Sequence, residues 1–105
     1  MKRLLLCLFI LLLLSGCEDA QKRFCREAAE SLCGRCASCG NDFTACGLKR
    51  TASTSECVDT LKHVCSAYDS LYNKEAGRAC LTGLATLSCE QLKTEGKPEI
   101  CTRLF

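Results

Sequence analysis

The chain has 105 residues, 12 of them cysteines, and a formal net charge of +2 from 14 lysines and arginines against 12 aspartates and glutamates. This length allows one small domain, and the near balance of charge without a basic face argues against a DNA- or RNA-binding protein. Cysteine at this density in a short chain is typical of a disulfide scaffold exported to an oxidising compartment.

Residues 1–16 are predicted to be a signal peptide that is removed. Lys2 and Arg3 form a short positive segment. The apolar run that follows, residues 4–14, is shorter than the roughly 20 residues of a membrane-spanning helix and has the length of a secretory hydrophobic region. Ser15 and Gly16 supply the small residues that cleavage requires. Removal of Lys2 and Arg3 leaves a remaining chain of zero formal charge.

Cys17 is the predicted lipid-attachment site. The quartet Leu14-Ser15-Gly16-Cys17 resembles the lipobox of bacterial lipoproteins, in which an aliphatic residue and two small residues precede a cysteine. The resemblance implies cleavage before Cys17, a diacylglyceryl group with palmitate-type chains on its thiol, and usually an acylated new N-terminus. It also implies a membrane-anchored protein of the bacterial cell envelope that faces an oxidising compartment.

Two alternatives concern the same segment. An ordinary signal peptide, cut near Cys17 or Ala20, would give a freely secreted protein. If the protein is anchored, Glu18 and Asp19 after the acylated cysteine suggest retention in the inner membrane without being the best-known signal for it. Inner and outer membrane therefore both stay open.

Ten cysteines remain once Cys7 and Cys17 are set aside, an even number that allows complete pairing. An unmodified Cys17 would leave an odd thiol, which is unusual in an exported protein. Each bridge typically adds about 2–4 kcal/mol to stability, and a domain without tryptophan and with few large apolar residues needs such support. The predicted disulfide cysteines are Cys25, Cys33, Cys36, Cys39, Cys46, Cys57, Cys65, Cys80, Cys89 and Cys101.

The apolar periodicity predicts an all-α domain of three to four short helices over residues 25–105, behind a short tether at residues 17–24. No stretch alternates like a strand. Residues 21–33 predict the first helix, with Gly34 as its stop, and residues 34–54 predict a cysteine-pinned loop.

Capping signatures place the remaining helices. A capping box at residues 53–56 predicts the start of a second helix that ends near Asn73. Asn73 also suits the start of a third helix ending near Thr86. A second capping box at residues 88–91, flanked by Leu87 and Leu92, predicts a short fourth helix. Residues 96–98 stop it, and Cys101 pins the tail.

Cysteine spacing suggests part of the disulfide pattern. Cysteines eight residues apart in a helix differ by about 80° around its axis, so both can reach the same neighbouring helix. Antiparallel first and second helices would then pair Cys25 with Cys65 and Cys33 with Cys57. Many other connectivities stay open.

The second half of the chain resembles small cysteine-rich lipoproteins of delta-proteobacteria that have no assigned activity. The resemblance lies in the stretch ECVDTLKHVCSAYDSLYNKEAGRACLTGLATLSCEQL, mainly in the spacing of its cysteines. It implies a lipidated, disulfide-bonded protein and adds no function.

The cluster of Cys33, Cys36, Cys39 and Cys46 offers a metal site or a thiol-redox site as a further alternative. Its spacing departs from the bacterial ferredoxin pattern, which has three residues before the fourth cysteine and a proline after it. For redox catalysis, Cys33 falls at the predicted end of a helix, where the dipole opposes a thiolate. Structural disulfides are therefore favoured for all ten cysteines. No catalytic residue, metal ligand or cofactor is predicted, and the lone histidine, His63, is expected on the surface.

These features together predict a non-enzymatic, lipid-anchored envelope protein with a disulfide-stabilised helical module for binding or structure. Its partners are expected to be the membrane and a protein of the envelope, and not nucleic acid. The alternatives are a freely secreted cysteine-rich effector, toxin or inhibitor, and a thiol-redox or metal-binding protein.

Overall fold

The computed structural model describes residues 19–68 and 71–105, and over these residues it contains helices and no strand. The prediction of an all-α, disulfide-bonded domain is confirmed. The predicted signal peptide, Cys7 and Cys17 lie outside the described residues. The elements in chain order are α1 (Ala20–Ser38), a 3-10 turn (Thr44–Cys46), α2 (Thr54–Ser66), α3 (Lys74–Ala85), α4 (Cys89–Glu95) and a second 3-10 turn (Glu99–Cys101).

Helix α1 is longer than the sequence predicts at both ends. It begins after Asp19, whose carboxylate accepts the N–H of Gln21 at 3.2 Å, so residues 20–24 of the predicted tether are helical. At the other end Gly34 does not stop the helix, which continues to Ser38. A glycine in a helix interior costs only about 1 kcal/mol relative to alanine. Burial of Cys36 and the disulfides beyond Gly34 offset that cost.

Four of the five disulfides start from α1 and its C-terminal cap. Cys25, Cys33, Cys36 and the capping residue Cys39 are bonded to Cys65, Cys57, Cys46 and Cys89, respectively. At about 100° per residue the four α1 positions fall within an arc of about 120°. One face of α1 is therefore the side to which the other elements are attached, and both pairs suggested by cysteine spacing are present.

The directions of the three longer helices follow from these contacts. The bridges Cys25–Cys65 and Cys33–Cys57 make α1 and α2 antiparallel. Helix α3 runs in the same direction as α1: the Phe24 ring contacts Tyr72 just before α3, and the Arg35 guanidinium donates to the carbonyl of Ala85, the last residue of α3, at 2.8 Å. The start of α1, the end of α2 and the start of α3 thus share one end of the bundle.

The second helix is shorter than predicted, ending at Ser66 instead of near Asn73. Its last turn is fixed to α1, because the Gln21 side-chain amide donates to the Cys65 carbonyl at 3.1 Å and Cys65 is bonded to Cys25. A terminal carbonyl with such a partner no longer needs a further helical turn. Leu71, which falls within the predicted second helix, therefore lies outside α2 and is 54% exposed.

The predicted caps of α3 and α4 are confirmed. The Asn73 side chain accepts the N–H of Ala76 at 2.8 Å, and Ser88 and Gln91 form a reciprocal capping box. Leu87 and Leu92, on either side of that box, are both buried, as in a hydrophobic staple. Gly96, with φ +75°, ends α4 in a conformation that favours glycine.

The core is small and rich in sulfur. Nine cysteines are buried in it together with a few large side chains, chiefly Phe24, Leu32, Phe43, Leu84 and Phe105. The Phe24 ring lies 6.2 Å from that of Phe105, edge to face, so the last described residues close the core against α1. None of the helices in the described part of the chain is both long and apolar enough to cross a membrane.

Candidate functional site

The cysteine cluster of residues 33–46 is divided among three disulfides. Cys33 is bonded to Cys57, Cys36 to Cys46 and Cys39 to Cys89, so adjacent members of the C-x-x-C pattern are not bonded to each other. A sulfur held in a disulfide is not a thiolate, the form that binds metals and attacks disulfides. Among residues 19–68 and 71–105 no group of three or more histidine, cysteine or acidic side chains could hold a metal ion.

The argument against redox catalysis placed Cys33 at a helix end, and the structure corrects this placement. Cys33 and Cys36 both lie inside α1 and are fully buried. The exception among the cysteines is Cys89, which is exposed and bonded to the buried Cys39. Of the five bridges, this one alone includes an exposed residue.

His63 lies exposed in the last turn of α2, as expected. Asp59 and Glu75, on α2 and α3, are exposed as well. These side chains have the positions of ordinary surface charges.

A basic cavity of about 230 Å³ lies between α1 and α3 at the bundle end where both helices begin. Arg23 lines it from α1, and Lys74 and Arg78 line it from the first turns of α3; Glu27 is the acidic side chain in the lining. Tyr72 forms part of the wall, with its ring 5.4 Å from that of Phe24. Cationic side chains around a small cavity suit an anionic group such as a phosphate.

A groove of about 820 Å³ with a mixed polar and apolar lining opens next to this cavity. Leu71, Ile100 and Leu104 line it together with Ala76 and the polar side chains of Asn73, Glu99, Thr102 and Arg103. Leu71 and Ile100 are 54% and 49% exposed, the two most exposed large apolar side chains of the described residues. Val64, in the last turn of α2, is the third. Exposed apolar side chains that line one groove, as Leu71 and Ile100 do, indicate an interaction surface.

We call this end of the bundle the tether-end surface and define it by the basic cavity and by Leu71, which lines the neighbouring groove. In the sequence, among the basic residues only Lys22, Arg23 and Arg26 follow Cys17 closely enough for an anchor there to place them near a membrane. Sequence reasoning missed Lys74, Arg78 and Leu71, because their approach to α1 depends on the parallel packing of α1 and α3. No local signal in the sequence could have revealed that packing.

The polar contacts elsewhere stabilise turns. The Thr44 hydroxyl and N–H donate to Asp42 Oδ1 at 2.7 and 3.0 Å and hold the pKa of Asp42 below its usual value, to which Arg50 adds through an ion pair of 3.8 Å. Lys97 Nζ donates to the carbonyl of Phe105 and lies 4.9 Å from the centroid of its ring. Burial lowers the pKa of Lys97.

Comparisons with known proteins add nothing to this geometry: no protein-family model, no curated protein and no solved structure matches the chain.

Proposed function

We propose that this protein is a lipid-anchored component of a bacterial cell envelope, acylated at Cys17, whose disulfide-bonded helical domain serves as a binding or structural module. The observation that carries the proposal is the complete pairing of the ten cysteines from Cys25 to Cys101. Because each of them has a partner inside the domain, none is left to pair with Cys17. Together with the lipobox-like quartet at residues 14–17, this supports a lipid as the group on that thiol.

The disulfides support export as well. Five bridges in a domain of this size are typical of proteins in oxidising compartments. They also support a non-enzymatic module, since they engage the thiols of residues 33–46 that would otherwise bind a metal or react.

Intact mass tests the proposal on protein taken from membrane and soluble fractions with an alkylating agent and no reductant. We expect a membrane-bound form that begins at Cys17, carries the mass of acyl chains and takes up no alkylating agent. Cys17→Ala should move the protein out of the membrane fraction, whereas Cys7→Ala, inside the predicted signal peptide, should leave it there.

Other results would contradict the proposal in distinct ways. A soluble, unacylated wild-type protein would favour the freely secreted effector. Alkylated cysteines among residues 33–46 would favour the thiol-redox or metal-binding protein. Unchanged membrane association of Cys17→Ala would show that some other part of the chain holds the membrane.

A further inference from the structure

We propose that the tether-end surface docks on the bilayer itself, with Lys74 and Arg78 at the phosphates of anionic phospholipids and Leu71 at the boundary of the acyl chains. This inference rests on the proposed acylation of Cys17 and adds an orientation: the domain lies with one defined end against the lipid.

The length of the connection places this end at the membrane. Helix α1 begins at Ala20, only three residues after Cys17. Three residues span at most about 11 Å when extended. An acyl group on Cys17 therefore keeps the start of α1 close to the headgroups of the bilayer. The last turn of α2 and the start of α3 lie beside that point, as the Gln21–Cys65 hydrogen bond and the Phe24–Tyr72 contact show.

The charge distribution matches an anionic surface. Residues 19–27 and 72–78, which form this end, carry five lysines and arginines against three acidic residues. Glu18 and Asp69, which lie next to these two stretches in the sequence but outside the described residues, offset this excess. The match to an anionic surface is therefore local: Arg23, Lys74 and Arg78 line the basic cavity together with the acidic side chain of Glu27. Basic residues near an anionic bilayer strengthen its binding.

The apolar groups at this end suit the region just below the headgroups. Leu71 is more than half exposed and precedes Tyr72, an aromatic residue with a polar tip. Leucine and tyrosine beside lysine and arginine are the composition of segments that lie at the membrane interface. Contact with acyl chains removes the exposed Leu71 side chain from water, which is favourable for an apolar group.

A single tryptophan can report the orientation, because the chain contains none. Acylated Leu71→Trp protein, purified from membranes as the processed full chain, is reconstituted into vesicles of phosphatidylethanolamine and phosphatidylglycerol with brominated acyl chains. The matched control is Thr51→Trp, which replaces an exposed residue of the loop at the opposite end of the bundle. We expect blue-shifted emission and strong quenching for Leu71→Trp, and neither for Thr51→Trp.

A second pair of variants tests the phosphate contacts. Lys74→Gln/Arg78→Gln, placed in the Leu71→Trp protein, removes two positive charges from the surface. Lys49→Gln/Lys93→Gln removes two exposed charges outside it. Each basic residue changes the ratio of docked to undocked orientations by roughly fivefold, so the first pair should change it by roughly thirtyfold. The quenching should fall with the first pair and stay with the second.

The outcomes separate this inference from the proposed anchor. Equal quenching of Leu71→Trp and Thr51→Trp in protein that stays with the vesicles would overturn the docking and leave the anchor standing. Equal effects of the two charge pairs would overturn the role of Lys74 and Arg78. Wild-type protein that does not remain with the vesicles at all would overturn the anchor, and the docking with it.

Discussion

Cys39, the capping residue of α1, is bonded to Cys89, the first residue of α4, and Cys89 is the exposed partner in a set of otherwise buried half-cystines. The bridge borders a surface depression of about 250 Å³ that Asp42, Leu92 and Lys93 also line. The exposure of Cys89 makes this bridge the one that an attacking thiolate reaches most readily, and the ammonium of Lys93 favours the approach of an anion. The other four bridges have both sulfurs in buried residues.

We therefore expect the Cys39–Cys89 bridge to be reduced first under mild, non-denaturing conditions, because exchange rates depend on access to the disulfide. Limited treatment with glutathione, followed by alkylation and peptide mass mapping, should give a species labelled only at Cys39 and Cys89. The helical circular dichroism of that species should be nearly unchanged. Earlier labelling of a buried pair such as Cys33–Cys57 would contradict the prediction.

Removal of the same bridge tests how it stabilises the fold. With the other bridges intact, the shortest loop that it closes runs through residues 33–39 and 57–89, about 40 residues, for which chain entropy predicts a cost of about 4 kcal/mol. Cys39→Ala/Cys89→Ala should lower the free energy of unfolding by about this amount. Without the bridge the unfolded chain is more expanded and exposes more surface. The m-value, which is the slope of the free energy of unfolding against urea concentration, should therefore rise.

The control for that variant is Cys36→Ala/Cys46→Ala, in which the bridged residues are only 10 apart. Its chain-entropy cost is about 3 kcal/mol, and the smaller loop should raise the m-value less. An unchanged m-value in Cys39→Ala/Cys89→Ala would show that the bridge acts on the folded state instead.

Two helical glycines should respond to alanine in opposite directions. A Cβ at Gly34, exposed in α1, meets nothing within 4 Å, so Gly34→Ala should raise the free energy of unfolding by about 1 kcal/mol through helix propensity. A Cβ at Gly77 in α3 would lie 2.8 Å from Tyr72 Cε2 and 3.2 Å from Phe24 Cδ2. The rings would have to separate, and overpacking should make Gly77→Ala less stable by about 1 kcal/mol. Urea titration measures both, and a stabilising Gly77→Ala would contradict the close packing.

The two glycines also show what the sequence could predict. Features that depend on a few neighbouring residues were predicted correctly. Asn73 and Ser88 cap their helices as predicted. The cysteines eight residues apart on α1 and α2 form the disulfides that helix geometry suggested. Gly34 was predicted to stop α1, because propensity alone ignores the disulfides beyond it. Tertiary stabilisation overrides propensity at such positions.

The candidate site was less accessible from the sequence for the same reason. Its basic residues come from helices far apart in the chain, Arg23 on α1 and Arg78 on α3. Their meeting follows from the parallel packing of those helices, which no single segment encodes. The bridge Cys80–Cys101 likewise depends on the return of the last residues to α3. Lipidation at Cys17, by contrast, is predicted from a local quartet and stays a prediction.

Lys97 should give the stability a pH dependence at alkaline pH. Burial lowers its pKa in the folded protein from the ordinary value of 10.5, so the unfolded chain holds the proton to higher pH. Stability rises with pH wherever the unfolded state binds more protons. The free energy of unfolding should therefore rise between the lowered pKa and 10.5, and be independent of this group at lower pH, where both states are protonated.

Lys97→Met tests this dependence, because it keeps an apolar chain over the Phe105 ring and removes the titrating amine. We expect urea titrations between about pH 8 and pH 10 to show that the wild type gains stability relative to Lys97→Met as pH rises. Lys49→Met, at an exposed lysine in the loop before α2, serves as the control and should follow the wild-type slope. Parallel pH profiles for wild type and Lys97→Met would contradict the prediction. They would mean that the hydrogen bond to the Phe105 carbonyl and the contact with its ring stabilise the charged ammonium enough to cancel the effect of burial on the pKa of Lys97.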